Sequence, residues 1–401
     1  MRYVISKSIK LIYYSQLLLF DIISFPILIV SFFLSRFISK RISIGIGPLP
    51  MINNVYWKKA LERKGYRAET YTQSVYFITN EFDFVCDRDR NRIFYYYPVL
   101  LFLRVVLRYE CLYIYFNGGP LQRDPFLMRL EPLFLNWAAV KVVVMPYGSD
   151  CQIFERTPNK MMVNNLCSDY PRFFKTNHDA IISQVDRWTK YADIVIGTMD
   201  SVDYLYYWNR VIPCHFAIDT DRVRPDDQRK RVIEKKGIRI LHAPNHMSIK
   251  GTEFLEKAIK RLLDEGYKIE YVRIQSKPNA EVLEEIRKAD LVVDQLVMGW
   301  YAMFAMETMA CGKPCICYIR QDLEDLYVKL GLLEKGEIPL ISATTDAIYD
   351  ILKDLLDHPG VLEKIGERSR EYVVKRHSLD SIGEFYAKIN NDINVKVKSD
   401  I

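Results

Sequence analysis

The sequence lacks a large excess of either charge, since its 401 residues carry 56 lysines and arginines against 50 aspartates and glutamates, a net charge of +6. So small an excess excludes the basic footprint of a dedicated nucleic-acid-binding protein. The polar bias of a disordered chain is also missing, because 49% of the residues are apolar and only 26% are charged. The composition is typical of a globular protein, and the length suffices for two domains.

Cysteines and histidines at the spacing of a zinc site are missing as well. The eight cysteines are scattered, and the tightest group, Cys311, Cys315 and Cys317, has no second Cys or His pair at that spacing. Most cysteines lie in apolar runs, which is typical of reduced thiols in a core. The sequence therefore predicts no metal site and indicates a reducing compartment.

A long apolar run lies near the N-terminus. Between Lys10 and Arg36 its only charged residue is Asp21, and basic residues flank both ends. As one helix it is long enough for a hydrocarbon core of about 30 Å. Asp21 and Pro26 interrupt it, so a bent, re-entrant or interfacial element and a soluble packed helix are also compatible. No small-residue motif marks a cleaved signal peptide. We expect residues 1–41 to form a membrane-associating segment.

Downstream, short apolar runs alternate with longer helical patterns. Strands are predicted at 42–46, 82–86, 111–116, 141–145, 193–196, 211–216, 238–242, 269–274, 291–294 and 314–318. This alternation predicts an α/β protein with parallel sheets covered by helices on both faces. The polar stretch at 219–236 is the best linker candidate. We expect one Rossmann-like domain at 42–218, a second at 237–378, and a C-terminal helix and tail at 379–401. Ligands of such sheets bind at the carboxyl ends of the strands, which places the site in the cleft between the domains.

A polar loop follows the predicted strand at 238–242. It contains His242, Asn245 and His246, and the run Lys250-Gly251-Thr252 opens the next helix. Backbone N–H groups at a helix start, beside a lysine and two histidines, can bind an anion. A capped helix with a surface lysine is compatible with the same residues.

A second polar loop follows the predicted strand at 291–294. Its notable residues are Asp294, Gln295, Gly299, Trp300 and Tyr301, and Glu307 is the one acid on the apolar helix that follows. A carboxylate on an apolar helix is costly to bury unless it is paired or binds a ligand. Glu307 is therefore a candidate for either a ligand contact or a structural salt bridge.

The run from Glu307 to Pro314, Glu-Thr-Met-Ala-Cys-Gly-Lys-Pro, resembles the Glu-Ala-Met-Ala-Cys-Gly-x-Pro signature of group 1 glycosyltransferases, family 4 in the sequence classification. Three further pieces occur in the family's order. Residues 192–198 resemble the strand that closes the first domain, 218–223 the interdomain stretch, and Lys250-Gly251 the lysine that meets the donor pyrophosphate. The resemblance is good at 191–314, weaker at 42–190 and absent before Arg41.

The resemblance implies a GT-B fold, with two Rossmann-like domains facing a cleft, the nucleoside-diphosphate sugar held mainly by the second domain and the acceptor by the first. Glu307 would hold the ribose hydroxyls, and Lys250 would neutralise the diphosphate leaving group without a metal or other cofactor. The expected donor-binding set is His242, Asn245, His246, Lys250, Gly251, Thr252, Asp294, Gln295, Gly299, Trp300, Tyr301 and Glu307.

The sequence departs from the family at three places. Gly299 replaces the family's first glutamate, the arginine shortly before the lysine is missing, and Tyr147 replaces a histidine. We expect Asp294 and Gln295 to take over donor contacts, and His242 or His246 to replace the arginine near the phosphate. The expected acceptor side of the cleft is Asn117, Gly118, Gly119, Tyr147, Gly148 and Asp150. The candidate catalytic residues are Lys250 and Asp150, with Asp150 as the acid or base. Gly118 and Gly119 would either bring backbone amides to the ligand or form a plain tight turn.

The sequence thus predicts a glycosyltransferase that moves a sugar, with retention, from a nucleoside-diphosphate sugar to a lipid-linked or cell-surface glycan acceptor. The expected location is the cytoplasmic side of a membrane, with the membrane surface as a partner and no nucleic acid. Two alternatives use the same fold. One is a nucleotide-sugar 2-epimerase, and the other is a non-catalytic subunit that binds nucleotide sugar or glycan.

Overall fold

Two parallel β-sheets form the body of the protein, and a long N-terminal helix packs on the first. The computed structural model describes residues 2–40, 42–75, 79–86, 97–226 and 237–397. Most of the predicted linker, 227–236, therefore lies outside the described residues.

The first sheet is built from β1 (Ile42–Ile46), β2 (Ala68–Thr72), β3 (Phe84–Val85), β4 (Tyr109–Tyr115), β5 (Lys141–Met145), β6 (Ile194–Thr198) and β7 (Arg210–Ile212). Its strand order is β3-β2-β1-β4-β5-β6-β7, and all neighbours are parallel. The helices of this half are α1 (Arg2–Phe37), α2 (Ile52–Arg63), α3 (Tyr97–Arg108), α4 (Glu131–Trp137), α5 (Lys160–Asp169) and α6 (Pro171–Tyr191), with 3₁₀ turns at Leu127–Arg129 and Met199–Asp203.

The second sheet contains β8 (Ile238–His242), β9 (Ile269–Arg273), β10 (Leu291–Val293) and β11 (Cys315–Ile316). These strands are parallel and lie in the order β11-β10-β8-β9. The helices of this half are α7 (Met247–Lys250), α8 (Thr252–Asp264), α9 (Asn279–Lys288), α10 (Met303–Ala310), α11 (Gln321–Lys329), α12 (Ile348–Asp357), α13 (Val361–His377) and α14 (Leu379–Asp392). The predicted α/β class with two parallel sheets is confirmed.

One strand, β2, was not predicted because its sequence is polar although its residues are buried. The Glu69 carboxylate is paired with Arg104 and Arg108, and it accepts a hydrogen bond from the Tyr109 hydroxyl at 2.6 Å. These partners come from α3 and β4, far along the chain. A buried glutamate that is neutralised in this way leaves no local apolar pattern to mark the strand.

A shared hydrophobic cluster joins the two halves. It contains Trp57 and Tyr113 from the first half, Leu241 and Met306 from the second, and Tyr386 of α14. The last helix, α14, packs against α2, and the Tyr113 hydroxyl donates a hydrogen bond to Asn390 of α14 at 2.8 Å. The chain therefore ends on the first half of the molecule, and the cleft between the halves is closed at its base by apolar packing.

Candidate donor site

The strand order of the second sheet reverses between β8 and β10, so a crevice opens at the carboxyl ends of these strands. The loops that follow them carry Lys250 and Asp294. The Lys250 ammonium forms an ion pair with Asp294 and donates a hydrogen bond to Gln295 Oε1 at 3.0 Å. The side chain of Asp294 is fully buried, and its Oδ2 has no partner among the described residues. A charged centre with spare hydrogen-bonding capacity thus lies where such sheets bind ligands.

Glu307 of α10 belongs to the same centre. Its side chain is buried, and its Oε1 accepts a hydrogen bond from Asn279 Nδ2 at 2.6 Å. Burial raises the pKa of Glu307 to about 7, the Asn279 bond lowers it, and the negative charge of Asp294 raises it further. Two acids and one lysine therefore interact at this point. In the part of the chain that the structure describes, no group of three or more His, Cys, Asp or Glu side chains could hold a metal ion.

The sequence did not point to Asn279, although its place at the start of α9, just after β9, is the usual position of a ligand contact. A cavity of ≈ 340 Å³ opens beside it, between α2 of the first half and α9 of the second. Its lining includes Tyr56, Arg222, Asn279 and Arg287. The pKa of Tyr56 is raised by burial and by the charge of Glu307, so this cavity adjoins the acidic centre. Its volume is suitable for a small molecule.

The two histidines of the first loop have different environments. His242 is buried, with Nδ1 bonded to the Val293 carbonyl at 2.8 Å and Nε2 to the Thr252 hydroxyl at 2.9 Å. Burial lowers the pKa of His242 to about 4, so it is neutral at physiological pH. Both of its nitrogens hold protein groups, and the geometry supports a structural role for His242 and Thr252 instead of the expected phosphate contact.

Asn245 and His246 lie exposed on the same loop. The Tyr170 hydroxyl bonds to Nδ1 of His246, and partial desolvation of that ring, together with the positive charge of Lys250, lowers its pKa. Gly251 connects α7 to α8 with φ of 72°, and a Cβ there would lie 2.9 Å from the Cβ of Leu296. Glycine is therefore needed to fold the Lys250 loop onto the Asp294 loop.

Three residues that the sequence predicted to contact the donor, Gly299, Trp300 and Tyr301, pack against the protein in the loop that follows β10. Gly299 has φ of 91°, and a Cβ there would lie 2.6 Å from the side chain of Arg320. Arg320 is held by Asp203 and Asp322, and its aliphatic stem fills the space beside Gly299. Trp300 and Tyr301 are fully buried in the shared cluster. Both rings pack within the protein in this structure, and their expected donor contact stays a prediction.

Helix α5 of the first half makes hydrogen bonds across the cleft to the loops that follow β8 and β10. Asn159, at its start, donates to the carbonyls of Val297 at 2.6 Å and Met298 at 3.2 Å. Asn165 donates to the Ser248 carbonyl at 3.0 Å, and the Ser248 hydroxyl donates to Asp169 at 2.6 Å. These contacts fix the loops on either side of Lys250. They join residues far apart in the chain, so no sequence motif marks them.

Asp150 of the first half organises a loop. Its Oδ1 accepts hydrogen bonds from the amides of Tyr147 at 3.1 Å and Gly148 at 3.0 Å, and its Oδ2 accepts one from Phe116 at 3.1 Å. Burial raises the pKa of Asp150 to about 7, although these bonds lower it. Since both oxygens are already occupied, the geometry favours a structural role for Asp150 over the expected acid or base.

The glycine turn after β4 also faces inward. The Gly118 amide donates to the Tyr115 carbonyl at 2.9 Å, and the Gly119 amide donates to the buried Glu131 carboxylate at 3.0 Å. This geometry is that of a tight turn, in which the amides of Gly118 and Gly119 are both bonded to protein groups. Asn117 donates from Nδ2 to the Tyr147 hydroxyl at 3.1 Å, which leaves this pair on the first half's side of the cleft.

Asp150→Asn is expected to lower the free energy of unfolding by about 2 kcal/mol, because one oxygen cannot replace a carboxylate that accepts three amides. Urea unfolding of the full chain measures this loss. Asp264→Asn, on the exposed face of α8, is the matched control and should leave stability unchanged. Unchanged stability of Asp150→Asn combined with lost turnover would return Asp150 to the role of acid or base.

No protein-family model matches the chain, and no curated protein matches its sequence. Solved structures match most of its length. HepE of Anabaena in complex with UDP-glucose is 10% identical, with a TM-score of 0.54 over 87% of this chain and 99% of that chain. Sucrose-phosphate synthase from Thermosynechococcus elongatus is 13% identical, with a TM-score of 0.57 over 88% and 99%. S. aureus MnaA, solved with UDP, is 15% identical, with a TM-score of 0.50 over 90% and 99%.

These similarities, together with the two parallel sheets and the crevice at their carboxyl ends, define the class of fold. The chain has a GT-B fold, with two Rossmann-like halves facing a cleft and an apolar N-terminal helix. Its low identity to every structure named here makes it a divergent example. The fold expected from the resemblance is confirmed, whereas the roles of the individual site residues stay predictions.

Proposed function

We propose that the protein is a glycosyltransferase that moves a sugar from a nucleoside-diphosphate sugar to a lipid-linked or glycan acceptor, on the cytoplasmic side of a membrane. The observation that carries this proposal is the cluster of Lys250, Asp294 and Glu307 at the switch point of the second sheet. HepE holds UDP-glucose and MnaA holds UDP in the same fold, which supports a donor of this kind. The eight free thiols support a reducing compartment.

The three residues have distinct roles in this proposal. Lys250 exchanges part of its contact with Asp294 for the donor diphosphate and neutralises the charge that develops there. Glu307 accepts hydrogen bonds from the ribose hydroxyls, and Asp294 Oδ2 accepts one from the donor. The left-handed turn at Gly299 and the contacts of α5 hold the two loops in place for these interactions.

The transfer itself needs few protein groups. The bond between the sugar C1 and the phosphate oxygen breaks, and its electron pair leaves with the diphosphate. The acceptor oxygen forms the new bond to C1 on the same face, and its proton passes to the departing phosphate oxygen. Retention without a protein nucleophile or a metal follows from this scheme, which is compatible with an Asp150 whose oxygens are occupied.

Incubation of the full chain with labelled nucleotide sugars and a membrane extract tests the proposal. We expect label in the lipid or glycan fraction, and its loss in the double variant Lys250→Met/Asp294→Asn. An interconverted soluble nucleotide sugar would indicate the epimerase instead. Tight donor binding without turnover would indicate a non-catalytic subunit, an outcome that the substitution at Gly299 makes worth measuring.

A further inference from the structure

Helix α1 has the reverse of the polarity expected for a surface helix. The face toward the body carries a polar series, Asp21, Ser24, Ser31 and Ser35, all buried together with Leu17, Leu28 and Phe32. The opposite face is large and apolar, and its exposed residues include Ile22, Ile23, Ile27, Val30, Phe33 and Phe37. Ile22 and Ile23 are each 62% exposed. A soluble surface helix shows the opposite arrangement, so the outer face is suited to an apolar environment.

The inner face is bound firmly to the first half of the molecule. The Ser35 hydroxyl lies 2.9 Å from the Val106 carbonyl of α3 and 2.6 Å from the Ala138 carbonyl after α4. Near the middle of the helix, the buried Asp21 lies close to the Asp124 carboxyl. The helix is continuous past Pro26 and packs along α3 and α4. A single helix crossing a bilayer would have to give up this packing or draw the sheet domain into lipid.

The apolar face continues beyond the helix and is bordered by cations. The ring centroids of Phe126 and Tyr14 lie 6.4 Å apart, and those of Trp137 and Phe32 lie 5.9 Å apart. Phe126, Leu130 and Trp137 are all exposed, and these three residues are called the platform. Arg123 and Arg129 are exposed and lie three residues to either side of Phe126 in the sequence. At the helix end, Arg36 is exposed and donates to the Trp137 carbonyl at 2.8 Å. An apolar platform bordered by arginines and a tryptophan matches acyl chains below phosphate headgroups.

We propose that α1 lies in the plane of one leaflet of a lipid bilayer, with its outer face and the platform of Phe126, Leu130 and Trp137 inserted among the acyl chains. The segment Tyr14–Phe37 is long and apolar enough to span a membrane, but its polar face is already used by the protein. In-plane insertion keeps the polar face packed on the protein and places the apolar face among the acyl chains. The inference rests on the membrane association proposed above and not on transferase activity.

Flotation of the full chain with vesicles of phosphatidylcholine and phosphatidylglycerol tests this mode of binding. The chain should float, and lipids brominated in the acyl chain should quench Trp137, which is 40% exposed, whereas Trp57, Trp188 and Trp300 are buried and Trp208 is half-buried. Trp137→Phe should remove the quenching. The double variant Ile22→Glu/Ile23→Glu should lower the bound fraction by roughly tenfold or more. Leu263→Glu, at a 45% exposed position on α8, is the matched control and should bind normally.

Three results would overturn the inference. Failure to float, with a dimer in sedimentation, would assign the face to a second copy of the chain. Protection of an N-terminal tag from protease added outside sealed vesicles would show a spanning helix. If Ile22→Glu/Ile23→Glu floats as well as Leu263→Glu, the outer face of α1 does not bind the membrane. Calorimetry with UDP-glucose on the same preparation tests donor binding independently of membrane binding. If the chain binds the donor but does not float, only the in-plane insertion of α1 is contradicted.

Discussion

Replacing Lys250 with methionine is expected to remove most turnover and also to destabilise the protein. The lysine is the ion-pair partner of a fully buried Asp294, and removing one partner of a buried pair leaves an uncompensated charge that costs about 3–5 kcal/mol. Loss of the cation that faces the leaving diphosphate should lower turnover by roughly 10²- to 10³-fold. Denaturant unfolding and a transfer assay measure the two effects separately.

The double variant Lys250→Met/Asp294→Asn distinguishes the two roles. Neutralising both partners should restore most of the stability, because no buried charge is left unpaired, while turnover should stay low. Asp294→Asn alone separates the loss of the buried carboxylate from the loss of the cation, since Lys250 keeps its charge and its hydrogen bond to Gln295. If the double variant regains both stability and turnover, the diphosphate is bound elsewhere in the cleft.

Glu307→Gln is expected to weaken donor binding by about 1.5–3 kcal/mol, roughly 10- to 150-fold, at a pH above 7. The carboxylate accepts two ribose hydroxyls only when it is ionised, whereas the amide offers one acceptor and an opposing donor. The variant also replaces a buried acid next to Asp294, so stability should not fall. Isothermal calorimetry with UDP-glucose measures the affinity, and unfolding in urea measures the stability.

The same residue predicts the pH dependence of binding. Burial raises the pKa of Glu307 to about 7 in the free protein, so the site is largely protonated below that pH and must lose a proton to accept both hydroxyls. Donor affinity of the native chain should therefore rise from about pH 6 to about pH 8, and the Glu307→Gln variant should show a flat profile. A native profile as flat as that of the variant would place the ribose away from Glu307.

The architecture was largely predictable because alternating strands and helices leave a local pattern. The predicted strands at 42–46, 141–145 and 238–242 coincide with β1, β5 and β8. The sequence also predicted that the loops after β8 and β10 lie together, because the carboxyl ends of parallel strands meet at one edge of a sheet, and the structure pairs Lys250 with Asp294 there. The polar strand β2 was missed, since its buried glutamate depends on arginines from α3.

The orientation of the site residues was not predictable. His242 and His246 are four positions apart on one loop, yet one is buried between Val293 and Thr252 and the other is exposed. The Arg320 stem occupies the space beside Gly299, and Asn279 rather than a basic residue contacts Glu307. Each of these contacts joins segments that are distant in the sequence.

For the N-terminal helix, too, the sequence determined the composition, and the tertiary structure determined the contacts. Its sequence determined that it is apolar, long and nearly uncharged, which permits a span, an interfacial helix or a buried one. Only the tertiary structure decided that Asp21 and the serines face the body and that Ile22, Ile23 and Phe33 face outward. A sequence determines which residues are apolar and at what period they recur, because these are local properties. The partner of each polar group depends on how distant segments pack, and here that packing decided which side chains are buried against the protein and which are exposed.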